Sequence, residues 1–91
     1  MFNPQKEAET LIKRACEHYK NYQYDEALRL FDEALKKDTK NAVAYYNRGI
    51  VYHSMARFEE AIANYDQAII INPNYANAYY RKRKAYYLIG T

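Results

Sequence analysis

Between Glu7 and Lys20 the apolar positions Ala8, Leu11, Ile12, Ala15 and Tyr19 recur three and four residues apart. That spacing lines one face of an α-helix and predicts one there. Asn3-Pro4 opens it, with a side chain able to cap free N–H groups and a first-turn nitrogen that needs no partner. Asn21-Tyr22-Gln23 interrupts the stripe, and Tyr24-Asp25-Glu26 starts a second helix whose acidic first turn complements the positive end of its dipole. Lys36-Lys37 does the same at the other end. Ala27 and Ala34 flank Phe31 on this helix, and small residues beside a ring let two helices approach to about 8–10 Å.

After a turn at Thr39-Lys40-Asn41 the pattern starts again. Ala61, Tyr65, Ala68 and Gly49 each lie 34 residues after Ala27, Phe31, Ala34 and Ala15, and Ala78-Tyr79-Tyr80 and Tyr86 follow Ala44-Tyr45-Tyr46 and Tyr52 at the same offset. A fixed period of this length is the signature of a repeat array. The predicted fold is all-α: a single domain of five helices, with one unit over 8–41, a second over 42–75 and a half unit over 76–91. Gly49 marks the close crossing of the second unit, Phe58-Glu59-Glu60 opens its second helix, and Asn72-Pro73 ends it, because the residue before proline is pushed out of helical geometry.

The period, the Gly or Ala midway along the first helix, the Ala–aromatic–Ala run along the second and the closing Asn-Pro together resemble the tetratricopeptide repeat family. The resemblance extends from Ala8 to Thr91. It implies a helical-hairpin array, an α-solenoid wound as a right-handed superhelix, in which the first helix of each unit lines a concave groove. By register that groove would present Ile12, Tyr46 and Tyr80, then Lys13, Asn47 and Arg81, then Cys16, Ile50 and Lys84, and finally Tyr19, His53 and Tyr87. The implied role is a non-catalytic scaffold that holds a protein or peptide, acidic or bearing a free carboxylate, against an aromatic and apolar surface with a basic fringe. The alternative is that these tyrosines only pack against their neighbours. One branch of the family clamps the C-terminal carboxylate of heat-shock chaperones, and its five clamp positions fall here on Ile12, Cys16, Asn47, Asn77 and Arg81; only Asn47 and Arg81 match. The resemblance therefore implies a groove without the complete clamp, in which one carboxylate can still meet Asn47 and Arg81.

Composition adds limits. Charged residues make up 27% and hydrophobic ones 49%, a folded rather than disordered profile. Twelve tyrosines and no tryptophan give an aromatic surface that carries hydroxyls, suited to half-buried seams or a wet groove. Cys16 is the single cysteine, so no internal disulfide or cysteine metal cluster can form, and a reducing cytoplasmic setting is the default. His18 and His53 have no ligand-spaced companions, so neither metal nor cofactor is expected. The pairs Asp25-Glu26 and Glu59-Glu60 sit at helix starts as dipole partners, and neither a nucleophile–base arrangement nor a phosphate-binding loop is present, so no catalysis is expected. No apolar run approaches a membrane span and no secretory leader core follows Met1.

The net charge of +3 has one visible concentration, Arg81-Lys82-Arg83-Lys84. Consecutive helical residues point in different directions, so this run forms no continuous track for nucleic acid despite Tyr79, Tyr80, Tyr86 and Tyr87 beside it. Arg83 replaces the small residue of the close crossing, and the chain stops at Gly90-Thr91, where the family would begin another helix. Two expectations follow: a solvated end cap, or a trimmed or engineered array that self-associates through Lys82, Ala85, Tyr86 and Ile89.

Overall fold

A computed structural model describes residues 2–90; Thr91, the last residue of the expected half unit, lies outside them. Five helices follow one another: α1 (Pro4–Lys20), α2 (Tyr24–Lys37), α3 (Ala42–Ser54), α4 (Phe58–Ile71) and α5 (Ala76–Ile89). Asn3 caps α1 by accepting from the backbone N–H groups of Gln5 and Lys6 at 3.1 and 3.3 Å. Asn41 does the same for α3 at Ala44, 3.0 Å away. Each hairpin reverses on a residue in the left-handed region, Tyr22 at φ 61° and Ala56 at φ 60°, 34 residues apart. Neither is glycine, so each turn carries a backbone cost of roughly 1–2 kcal/mol.

The seams are the expected ones. Ala8, Ala15, Ala27, Phe31 and Ala34 are buried in one cluster with Ile12 and Leu30, which Ala44 and Val51 extend onto α3. Ala61, Tyr65 and Ala68 are fully buried on α4. At Gly49 the approach is closest: a β-carbon there would lie 2.6 and 2.8 Å from two ring carbons of Tyr65 and 3.2 Å from the carbonyl oxygen of Ala61. The backbone of α3 therefore rides directly on the Tyr65 ring.

Units are keyed to each other by ion pairs that repeat with the period. Arg48 of α3 reaches back to Asp32 of α2 at 2.8 Å, and Lys82 of α5 reaches back to Asp66 of α4 at 2.7 Å. Arg48 also donates from Nε to Oδ1 of the buried Asn64 at 2.7 Å, while the Asn64 amide donates to the Glu60 carbonyl oxygen at 2.8 Å. One guanidinium thus ties α3 to α2 and α4.

Two residues expected on an open association face are engaged internally. Ala85 is fully buried in the cluster formed with Ala61, Ile62 and Tyr65, because it stands one period after Val51, itself a core residue. Lys82 is held by Asp66, as described. Tyr86 and Ile89 do face solvent, at 56% and 44% exposure.

Candidate functional site

The first helices, α1, α3 and α5, carry the candidate groove, and its chemistry differs between its two valleys. Between α1 and α3 runs a trough of about 500 Å³ lined by Ile12, Lys13, Cys16, Lys20, Val43 and Asn47, with Arg14 and Glu17 at its margin. A smaller recess of about 260 Å³ shares Ile12, Lys13 and Val43 with it and extends towards Glu9 and Asn41. The helical period produces this surface: Ile12, Cys16 and Lys20 fall one turn apart on α1, as Val43 and Asn47 do on α3. Ile12 forms the buried floor, whereas Val43 is about half exposed. One amide hydrogen of Asn47 is committed to the Val43 carbonyl oxygen at 2.9 Å. Burial pushes the Cys16 thiol above its ordinary value, and nearby Lys20 opposes that only in part, so the thiol stays protonated and contributes apolar surface.

The valley between α3 and α5 is aromatic. Nε of Arg81 donates to the Tyr46 hydroxyl at 3.2 Å, and the Tyr46 ring lies 4.9 Å from Tyr75 and 5.9 Å from Tyr65 between centroids. Burial drives the Tyr65 phenol far above its ordinary value. Its hydroxyl lies 3.4 Å from Nδ1 of His53, whose ring stands edge-on to Phe58. Burial, followed by the charges of Arg81 and Lys84, holds His53 below its ordinary value, so the ring is neutral at pH 7.

The remaining expected groove residues divide. Tyr19 spends its hydroxyl on Ser54 at 2.7 Å, and its ring packs against Tyr24, so it joins α1 to α3. Ile50 packs on the core of the second unit. Tyr80 is half exposed beneath the Lys84 ammonium. Tyr87 is turned away with Arg83, Lys84 and Leu88, around a separate shallow groove on the last turns of α5. The structure thus gathers Ile12, Lys13, Cys16 and Asn47 in one valley and Tyr46 with Arg81 in the next. Lys20, Val43, Tyr65 and Tyr75 were not among the expected groove residues, although the one-turn spacings from Cys16 to Lys20 and from Val43 to Asn47 carried the signal for two of them. Among the described residues no group of His, Cys, Asp and Glu is arranged to hold a metal, and no helix is long and apolar enough to cross a membrane.

The family model described as tetratricopeptide repeat matches residues 42–75, and one described as TPR repeat matches residues 15–55. The chain is a tetratricopeptide repeat protein. Among solved structures it is similar to the second such domain of Spaghetti (RPAP3) bound to the HSP90 peptide SRMEEVD, with a TM-score of 0.90 at 26% identity over 94% of this chain and 80% of that one. It is similar to the TPR2B domain of yeast Sti1 in complex with pHsp70, with a TM-score of 0.88 at 28% identity over 92% and 67% of the two chains. A third similar structure is MamA, with a TM-score of 0.89 at 28% identity over 97% of this chain and 48% of that one. No curated protein sequence gives a significant match. The tetratricopeptide repeat assignment accounts for the 34-residue period, the paired helices and the groove along α1, α3 and α5.

Proposed function

We propose that this protein is a non-catalytic interaction module that holds an extended acidic peptide along α1, α3 and α5. Its recognition unit is the single domain formed by the repeats at 8–41 and 42–75 with the half repeat at 76–91. The observation that carries the reading is the trough between α1 and α3, where an apolar floor at Ile12, Cys16 and Val43 is rimmed by Lys13 and Lys20. Arg81 adds a further cation in the next valley, with Tyr46 orienting it. Apolar surface with few cations is what a peptide carrying both apolar and acidic side chains requires. The related domains bound to HSP90 and Hsp70 peptides support a peptide ligand, and the sequence SRMEEVD supports an acidic one. Changing Asn47 and Arg81 together to Ala should weaken an acidic peptide much more than a neutral peptide of equal length, as measured by fluorescence anisotropy. Equal loss for both would remove the acidic preference from the reading.

A second reading is self-association, favoured by the exposed apolar side chains Tyr86, Tyr87 and Ile89 at one end of the array. Light scattering over a hundredfold concentration range tests it. A constant monomer mass would eliminate it.

A further inference from the structure

The two valleys differ in a way that specifies the peptide further. Lys13, Asn47 and Arg81 occupy equivalent register positions on α1, α3 and α5, so a cation, an amide and a second cation succeed one another across the groove. Among the described residues Lys13 has no ion-pair partner. Arg81 has spent one donor on Tyr46, and its terminal guanidinium nitrogens keep theirs. Between these two anchors the trough offers Ile12, a protonated Cys16 thiol and Val43. Its floor has no cation, and Asn47 has only one amide hydrogen left to donate. The cations of this trough, Lys13, Arg14 and Lys20, stand at its rim, and Lys20 is already beside Glu17 at 3.7 Å, so a carboxylate seated on the floor itself would lose its hydration without a cation against it. An apolar side chain would lose nothing.

Resting on the peptide-binding reading above, we propose that the trough between α1 and α3 takes an internal apolar side chain of its partner, and that Lys13 and Arg81 engage separate acidic residues on either side of it. The ligand is a segment within a chain, and no free C-terminus is needed. Directly packed helices stand about 8–10 Å apart, and α1 touches α3 only sparsely, so the two anchors are at least about 16–20 Å from each other. An extended chain rises about 3.3 Å per residue, so the acidic residues lie at least about five or six positions apart, with the apolar residue between them.

The probe is a fluorescein-labelled Ser/Gly peptide of about twelve residues with two glutamates about six positions apart and one leucine between them, its C-terminus amidated. Its affinity should agree within about twofold with that of the same peptide bearing a free carboxylate, and should fall about tenfold when leucine is replaced by serine. Lys13→Glu lies on an exposed surface and leaves the fold intact; it should weaken binding at least about fivefold, whereas Lys36→Glu on α2, an equal charge change outside the groove, should not. Bound peptide should also slow alkylation of Cys16. Binding that requires the free carboxylate, equal effects of the two lysine changes, or an unchanged Cys16 rate would each overturn the inference while leaving a peptide groove in place. Failure of every peptide to bind, free acids included, would overturn the proposed function with it.

Discussion

Replacing Gly49 by alanine sets two effects of known size against each other. Alanine in a helix interior is favoured over glycine by about 1 kcal/mol, and on propensity alone the change should stabilise α3. The new methyl carbon, however, would stand 2.6 Å from one ring carbon of Tyr65 and 2.8 Å from another, where ordinary carbon contacts are about 3.5–4.0 Å. The ring would have to retreat by about 1 Å, yet it is wholly buried and backed by Tyr46. Overpacking of this kind costs about 1–3 kcal/mol. The steric cost wins, leaving a net loss of about 1 kcal/mol and a fall in Tm of about 4–8 °C. Gly90→Ala is the internal comparison: its methyl would meet nothing closer than the Tyr87 carbonyl oxygen at 3.5 Å, so no loss is expected. Thermal and urea denaturation followed by far-UV circular dichroism read both variants. A Gly49→Ala protein as stable as the parent would refute the claim that the backbone of α3 rests on the Tyr65 ring.

Three further outcomes are expected. Arg48→Ala removes the donor to the buried Asn64 oxygen and the pair with Asp32, and should cost about 1–3 kcal/mol in urea denaturation; a loss confined to a few tenths would show that Asn64 finds another donor. Ala56→Gly relieves the left-handed residue of the second hairpin and should raise the urea midpoint, with a net gain of about 0.5–1 kcal/mol; a lower midpoint would contradict the strain assigned there. For His53, the folded state holds the ring below its ordinary value of 6.5, so the unfolded chain binds more protons as acid is added. Stability should fall as the pH drops from about 7 through 6.5 towards the folded value. His53→Gln should flatten that slope in urea midpoints taken at intervals between about pH 7.5 and 5.5; an unchanged slope would assign it to another group.

The helices and seams were legible because a packing repeat leaves a plain mark in sequence. Small residues at Ala8, Ala15, Ala27 and Ala61 must recur wherever helix axes come close, and all four are fully buried. The groove was less legible because register assigns a direction to a side chain and says nothing of what that side chain finds there. Tyr19 and Tyr46 stand at expected positions, yet one hydroxyl is taken by Ser54 and the other receives Arg81. Asn47 and Arg81, paired in the sequence reading as holders of one carboxylate, line different valleys. Ala85 was misplaced by treating the outer side of α5 as open; comparison with Val51, one period earlier, would have returned it to the core.

The pairs Arg48–Asp32 and Lys82–Asp66 bear on the elasticity of the molecule. In a solenoid the pitch is set by the small rotation between successive units, and these pairs act as stops at each step of that rotation. Both pairs are partly open to water, where ion pairs are weakened and screened by salt, so the stops are soft. The array then behaves as a short spring whose stiffness falls as ionic strength rises, and whose curvature sets the distance between Lys13 and Arg81. A ligand touching both would fix the curvature of the whole coil, so salt would change its affinity through the shape of the groove as well as through its charges.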